Sequence, residues 1–265
     1  MCPVNLTIFD RRSYLIRCRV AVSRDELVEG KRSIQAVSIS FFRFETGLSR
    51  LWAFAMMGLA RLALGRIEKI GFWKLCGSGS GEGFTPLPNT GVYAILATWP
   101  DLETARMQTE TAPVFRRYRQ RALECWTVFL SPISARGEWS GKTPFRPDAV
   151  PGSGPVAALT RATVRPRAAL KFWKRVPDIS SVIGTDANVA FKIGIGEMPL
   201  LHQITFSVWP DAGSMADFAR ADGPHARAIR AVREGDWFRE ELYARFRVIA
   251  DRGTWHGQHP LNRTG

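Results

Sequence analysis

An internal repeat constrains the fold of this 265-residue chain more than any other feature. Residues 98–101 read Thr-Trp-Pro-Asp, and 208–211 read Val-Trp-Pro-Asp, 110 positions later. Residues 136–141 read Arg-Gly-Glu-Trp-Ser-Gly, and 252–257 read Arg-Gly-Thr-Trp-His-Gly, 116 positions later. Because the two offsets nearly agree and the motifs keep their order, the sequence predicts two homologous structural units.

The first unit is predicted to follow the order β-α-β-β-α-β. Apolar and polar side chains alternate near its start, so Val37, Ile39 and Phe41 are predicted to share one face of a strand. Asp101 stands where a helix N-cap is preferred. The predicted strands are 34–44, 72–76, 92–99 and 126–130, and the predicted helices are 48–64 and 101–124.

The second unit is predicted to repeat that order. Its predicted strands are 156–164, 189–195, 200–209 and 246–250, and its predicted helices are 167–183, interrupted at Pro177, and a broken helix over 214–243. This order is that of the ferredoxin-like fold. We therefore predict an α+β protein in which two ferredoxin-like repeats form a pseudo-dimeric α/β barrel.

The repeats divide the chain into predicted regions. These are an N-terminal extension expected to be poorly ordered (1–33), the first repeat (34–143), a Pro- and Gly-rich linker (144–155), the second repeat (156–257) and a C-terminal tail (258–265).

The strong positive charge of the chain does not form a block. There are 37 Lys and Arg against 24 Asp and Glu, a net charge of +13. This excess is spread over the whole chain rather than concentrated in a basic tail, so we expect no nucleic-acid partner.

The four cysteines, Cys2, Cys18, Cys76 and Cys125, are isolated, which excludes Cys-x-x-Cys zinc and iron–sulfur sites and favours a reducing cytoplasm. We expect no signal peptide, and the longest apolar run, 51–60, has about half the ~20 residues needed to span a bilayer.

Two apolar features leave alternatives open. The helix at 48–64 carries Leu48, Leu51, Ala55, Gly58, Leu59 and Leu62 on one stripe. The aromatic residues of the chain, among them Phe41, Phe42, Trp52 and Phe54, either pack in the core or line a long apolar tunnel for a substrate, with this helix as its membrane-facing entrance. The glycine-rich segment 77–83 lacks the spacing of a nucleotide-binding loop, so we interpret it as a long hairpin connection that contains Glu82.

The four histidines limit the possible metal chemistry. His202, His225, His256 and His259 form no His-x-Asp/Glu pair and no cluster of spaced ligands, whereas haem needs only one protein ligand. His225 lies on the apolar face of a predicted helix and His202 on the apolar face of a predicted strand. Either could instead be a hydrogen-bonded core histidine.

Several long strings of the sequence are specific enough to compare with known families. They are 50–61, 71–86 (Gly-Phe-Trp-Lys-Leu-Cys-Gly-Ser-Gly-Ser-Gly-Glu-Gly-Phe-Thr-Pro), 94–100, 136–141, 191–197 and 223–230 (Gly-Pro-His-Ala-Arg-Ala-Ile-Arg). These strings resemble the spheroidene monooxygenase family of acyclic carotenoid 2-ketolases. The similarity runs from about residue 34 to 257, and residues 1–33 are not required by the family pattern.

The resemblance implies a haem enzyme of a photosynthetic bacterium. It would oxidise C-2 of spheroidene to the ketone spheroidenone by two hydroxylations, using O2 and electrons from reduced ferredoxin. It implies a cytoplasmic protein that can associate peripherally with the inner or photosynthetic membrane. The roles assigned on this basis are His225 as axial haem ligand with His202 as runner-up, Arg227, Glu82 and Glu197 as polar catalytic groups, and Trp52, Phe54, Trp73 and Phe84 as substrate contacts.

Two alternatives remain at this point. One is another haem enzyme of dehydratase or dismutase type on the same fold. The other is a non-catalytic protein that binds haem or a carotenoid.

Overall fold

The computed structural model describes residues 33–81, 85–150, 152–174, 189–220 and 236–263. Its strands within these ranges are β1 (Ala36–Arg43), β2 (Trp73–Gly79), β3 (Pro88–Trp99), β4 (Glu124–Gly137), β5 (Val156–Val164), β6 (Phe191–Gly196), β7 (His202–Trp209) and β8 (Phe238–Gly253). The helices are α1 (Gly47–Leu64), α2 (Leu102–Thr111), α3 (Pro113–Arg121), α4 (169–174) and α5 (Ala212–Arg220), with 3-10 turns at Pro166–Ala168 and Pro260–Arg263.

The strands form a closed antiparallel barrel in the order β1-β3-β2-β6-β7-β5-β8-β4. Each unit contributes four adjacent strands in the same order: fourth, first, third, second. The units join along a long β4–β8 ladder and at a short β2–β6 contact limited to Gly77↔Gly196 and Ser78↔Ile195. The predicted α/β barrel of two ferredoxin-like repeats is confirmed.

Strand alternation fills the barrel interior with side chains. Val37, Ile39 and Phe41 point inward together, as their spacing predicts, and each is fully buried. Phe41 stacks on Trp126 with ring centroids 5.6 Å apart and packs against Phe191 at 5.4 Å. An eight-stranded barrel is just wide enough for its side chains to fill it, so the interior is a packed core.

The predicted helix over 101–124 is wrong in two respects, because it is two helices and the second ends at Arg121, before Glu124 begins β4. Asp101 caps α2 as predicted, since its carboxylate accepts a hydrogen bond from the Thr104 amide at 2.7 Å. Pro113 then excludes the α conformation from Ala112, which is extended (φ −61°, ψ 134°), so the chain turns and α3 begins anew.

The predicted broken helix over 214–243 also ends too late. Residues 238–243 belong to β8, where Leu242, Ala244 and Phe246 alternate into the interior with the period of a strand. The middle part of this predicted helix, residues 221–235, lies outside the described residues. Among the described residues, no helix is long and apolar enough to cross a membrane.

Helix α1 presents its apolar stripe to solvent. Thr46 caps its first turn, and the side that packs on the sheet consists of Ala53, Met56, Ala60 and Leu64. The opposite side exposes large apolar side chains, with relative exposures of 83% for Leu48, 65% for Leu51, 65% for Phe54, 68% for Leu59 and 72% for Leu62. The stripe that the sequence marks is therefore not the one that packs against the barrel.

Candidate functional site

The repeated hexapeptides fold into the same turn in both units. In the first, the amides of Ser140 and Gly141 donate to the Glu240 carboxylate at 3.0 and 2.7 Å. The backbone then folds back so that the Trp139 amide donates to the Lys142 carbonyl at 2.8 Å. The residues at 140 and 141 both have positive φ, which the glycine adopts at no steric cost.

The second hexapeptide repeats each of these contacts. The amides of His256 and Gly257 donate to the Glu124 carboxylate at 2.9 and 2.7 Å, and the Trp255 amide donates to the Gln258 carbonyl at 2.8 Å. Glu124 begins β4 and Glu240 lies near the start of the antiparallel β8. The two turns therefore close opposite ends of the barrel.

Strand register identifies equivalent positions in the two units. Trp99 pairs with Ala36, and Trp209 pairs with Val156, so β1 and β5 superpose with Phe41 at the position of Arg161. The same alignment places Val92 of β3 at the position of His202 in β7.

Because of these differences, the two ends of the barrel are lined by different kinds of side chain. We call them the aromatic end and the charged end. The aromatic end comprises Phe41, Trp126, Phe191, Phe206 and Trp255. The charged end comprises Lys74, Arg161, Glu197, His202 and Glu240.

Glu197 is the centre of the charged end. Immediately after β6, its carboxylate lies 2.6 Å from the Lys74 ammonium and accepts a hydrogen bond from the Trp139 indole at 2.8 Å. The Nδ1 atom of His202 lies 3.5 Å from it and a guanidinium nitrogen of Arg161 lies 3.7 Å from it. Glu197 is therefore surrounded by four cation-capable or donor groups, which come from three different strands and a turn.

Arg161 carries its charge into the barrel with a side chain that is 1% exposed. Glu240 pairs with it directly, and the guanidinium lies over the Trp139 ring at 5.8 Å from the centroid. A buried cation persists only when paired, so the two carboxylates account for its presence there. With Lys74 included, two positive and two negative groups balance.

The protonation of this cluster follows from its contacts. Burial raises the pKa of Glu197, but hydrogen bonds from Lys74 and Trp139 outweigh it and hold the pKa below its ordinary value. Burial, aided by Arg161 and Lys74, lowers the pKa of His202 although Glu197 opposes it. Glu197 is therefore an anion and His202 a neutral imidazole at neutral pH.

Cys76 lies beside this cluster but has no reactive thiolate. Its side chain is fully buried, and burial raises its pKa far above the ordinary value, with Glu197 adding to the shift. It is consequently a neutral thiol in the barrel core.

The outer faces of the two half-sheets differ as well. The first unit's outer face, beneath α1, α2 and α3, belongs to one continuous buried cluster that includes Phe42, Leu75, Tyr93, Ile95 and Phe129. The equivalent outward positions of the second unit hold smaller or polar residues, namely Ala162, Gly194, Gln203, Thr205 and Arg245.

Among the described residues of the second unit, buried apolar side chains on this outer face form two separate small clusters. One contains Val164, Ala168 and Phe172, and the other contains Val156, Trp209 and Met215. The described surface of the sheet between them carries the small residues Ala162, Gly194 and Thr205 together with the longer polar residues Gln203 and Arg245.

A cavity of about 530 Å³ opens at the aromatic end. At this end β2 pairs with β6 only at Ile195 and Gly196, so residues 191–194 of β6 have β7 but not β2 as a neighbouring strand. Phe191, Ile193 and Trp255 contribute apolar walls, and Arg43 and Arg50 contribute cationic ones.

The predicted site residues fall into three groups. Glu197 and His202 are brought together at the charged end. Trp52 and Trp73 pack on the outer face of the first unit, and Phe54 is exposed on α1, so these predicted substrate contacts do not lie at the charged end. The remaining predicted residues, Glu82, Phe84, His225 and Arg227, lie outside the described residues.

Sequence reasoning missed Arg161, Glu240 and Trp139 as members of the site. The available signal was Arg161 itself, a charged residue on the strand face that Ala157 and Leu159 direct into the barrel.

Comparison with known proteins identifies relatives over most of the chain. Spheroidene monooxygenase of Cereibacter sphaeroides is 50% identical over 231 residues, covering 86% of this chain and 71% of that protein. The enzyme of the same name from Rhodobacter capsulatus is 51% identical over 227 residues, covering 84% and 94%. The chain belongs to the spheroidene monooxygenase family. A third relative, from Rubrivivax gelatinosus, is 34% identical over 215 residues, covering 79% of this chain and 81% of that one.

Solved structures share the fold at low sequence identity. An aldoxime dehydratase superposes with a TM-score of 0.56 at 9% identity, covering 83% of each chain. An aldoxime dehydratase in complex with butyraldoxime gives a TM-score of 0.55 at 9% identity, covering 83% of this chain and 81% of that one. No protein-family model matches the chain.

Proposed function

We propose that this protein is a haem-dependent carotenoid 2-ketolase that converts spheroidene to spheroidenone with O2 and electrons from reduced ferredoxin. The observation that carries the proposal is about 50% identity, over most of the chain, to two proteins named spheroidene monooxygenase. The family strings recognised in the sequence extend through both repeats, so the resemblance is not confined to one unit.

The chemistry is two successive hydroxylations of one methylene. The second hydroxylation gives a gem-diol, which loses water to leave the ketone. Per carbon, the methylene, two O2, four electrons and four protons become one ketone and three waters. The bound haem would supply reductive activation of O2, and the protein supplies binding, orientation and protons.

The second unit's outer face is the place whose residues fit a haem. A macrocycle needs a flat space beside a sheet, and the first unit fills that space with Phe42, Ile95 and Phe129. At the equivalent positions the second unit has Ala162 and Thr205, with Arg245 as a cation that could pair with a propionate. His225, which the sequence predicts on a helix of this same unit, would hold the haem by its imidazole.

The environment of His202 favours a different role. Its imidazole faces inward at the charged end, beside Glu197, and the barrel interior there is packed with side chains. We therefore propose that it acts within the charged end and does not ligate iron. Glu197, as an anion, can accept but not donate a proton, so its proposed contribution is to hold Lys74 and Arg161 in place.

Product analysis tests this function. The purified chain, loaded with haem, is supplied with spheroidene, O2, ferredoxin and a ferredoxin reductase, and the pigments are separated and weighed by mass spectrometry. We expect spheroidenone with the 2-hydroxy compound as an intermediate, and consumption of two O2 per ketone. Bound pigment without oxygen consumption would instead indicate a carotenoid-binding protein, and conversion of an aldoxime alone would indicate a dehydratase.

A further inference from the structure

We propose that the outer stripe of α1 docks the protein on an anionic lipid bilayer. The α1 stripe consists of Leu48, Leu51, Phe54, Ala55, Gly58, Leu59 and Leu62. Its five large side chains are each at least 65% exposed, on a helix about 27 Å long. Contiguous apolar patches of this kind are uncommon on soluble monomers and mark interaction surfaces.

The burial pattern fixes how α1 can meet a membrane. Its inner side, Ala53, Met56, Ala60 and Leu64, is committed to the first half-sheet, so only the outer half of the helix is available. A helix anchored along its length and apolar on its free side lies in the plane of the interface with that side among the acyl chains.

The positive charges along the edges of the α1 stripe favour a bilayer that contains anionic lipid. The helix contains no Asp or Glu. Arg50 and Arg61 lie on one edge of the stripe, and on the other edge the Arg121 guanidinium lies over the Trp52 ring at 4.6 Å from its centroid. Cations on both edges of an apolar face match the height of anionic headgroups when that face is immersed.

The same charges disfavour a second copy of the chain as the occupant. Two α1 stripes packed on each other by a two-fold axis would bring arginine-bearing edges together with no acidic side chain of either helix to pair them. A bilayer containing anionic lipid offers the complementary charge on both edges at once.

Docking in this orientation has a consequence that rests on the proposed function. Arg50 of α1 also lines the 530 Å³ cavity at the aromatic end. The mouth of that cavity would then lie next to the membrane in which a carotenoid dissolves. The docking itself does not depend on this and is tested without substrate.

Vesicle flotation of the full chain tests the proposal. Wild-type protein is mixed with vesicles of phosphatidylcholine alone or with added phosphatidylglycerol, and the bound fraction is measured at low and high salt. Leu51→Glu/Phe54→Glu should lower binding about tenfold or more. The control Leu123→Glu/Val150→Glu, which places the same charges on other exposed apolar residues, should bind like wild type.

The charged edges have their own test. Arg61→Gln/Arg121→Gln should reduce binding to phosphatidylglycerol vesicles and weaken its salt dependence. Circular dichroism and a thermal melt confirm that each variant is folded. Equal flotation of wild type and the stripe variant, or wild type that stays off anionic vesicles, would overturn the proposal. So would a dimer in sedimentation velocity that Leu51→Glu/Phe54→Glu dissociates, since this would assign the stripe to a second copy.

Discussion

At one end of the barrel a carboxylate-anchored turn closes over ionisable side chains, and at the other end the same turn closes over aromatic rings. Glu240 and Glu124 occupy equivalent places and make equivalent pairs of backbone hydrogen bonds. The positions beneath them differ, with Arg161 in place of Phe41 and His202 in place of Val92. The repeat thus preserves the frame of the barrel while the contents of each end diverge.

Among the predicted changes, loss of a turn-binding carboxylate should lower the free energy of unfolding most. The loss should be much larger for Glu240 at the charged end than for Glu124 at the aromatic end. Glu240→Gln leaves the guanidinium of Arg161 buried with its nearest anion removed, and we expect the free energy of unfolding to fall by about 3 kcal/mol. Glu124→Gln should cost about 1 kcal/mol, because its partner Arg43 is 32% exposed and can be hydrated. Urea unfolding of both variants measures the difference.

In both variants glutamine keeps one oxygen that can accept from a turn amide and places an NH2 group against the other amide, so that loss is the same at both ends and the difference between the two variants isolates the ion pair. Equal losses for the two variants would show that the charged end is not stabilised by pairing of Arg161.

The outer faces of the two half-sheets provide a second comparison, in which haem affinity is measured. Thr205→Phe restores a large side chain where the first unit has Ile95, and we expect it to lower haem affinity about tenfold or more by filling the proposed space. Thr205→Ala keeps that space open and should retain haem. Haem titration followed by absorbance measures both affinities. Unchanged affinity in Thr205→Phe, with the fold intact, would move the haem away from this face.

The smallest expected effect is the pH dependence contributed by His202. Its pKa is lower in the folded chain than the ordinary 6.5, because of burial, Arg161 and Lys74. The contribution of His202 to stability is therefore fully present above pH 6.5, and it is lost as the pH falls through the lowered pKa of the folded chain. His202→Val, which installs the residue found at the equivalent position 92, should flatten this dependence.

Unfolding free energies at intervals from about pH 7.5 to pH 5 resolve this change, because the carboxylates with lowered pKa act at more acidic pH. A variant with the wild-type slope in this interval would show that His202 does not titrate as its contacts indicate.

Local patterns were sufficient to predict most of the barrel. Trp99 and Trp209 each end the third strand of their unit, and strand β5 has the predicted bounds. The two repeated hexapeptides indicated the positions of the turns. The sequence does not show, however, that the turn amides bind the carboxylates of Glu240 and Glu124. That pairing depends on strand register between β4 and β8, which is a long-range property.

Other features escaped prediction for similar physical reasons. The spacing of Leu48, Leu51 and Leu59 identifies one side of a helix but not which side meets the sheet, because Ala53, Met56 and Ala60 are equally apolar. The sequence places Arg161 at an inward strand position but does not show that Glu197 and Glu240 pair with it, because those carboxylates come from distant parts of the chain.

Absorption spectra of the purified, haem-loaded chain and of three histidine variants are the most direct test of the proposal that the second unit holds a haem on His225. Wild type should show a Soret band that persists in His202→Ala and in the exposed control His259→Ala, and that is lost in His225→Ala while the far-ultraviolet circular dichroism is unchanged. A wild-type chain that binds no haem, or a band that survives in His225→Ala and disappears in His202→Ala, would contradict it.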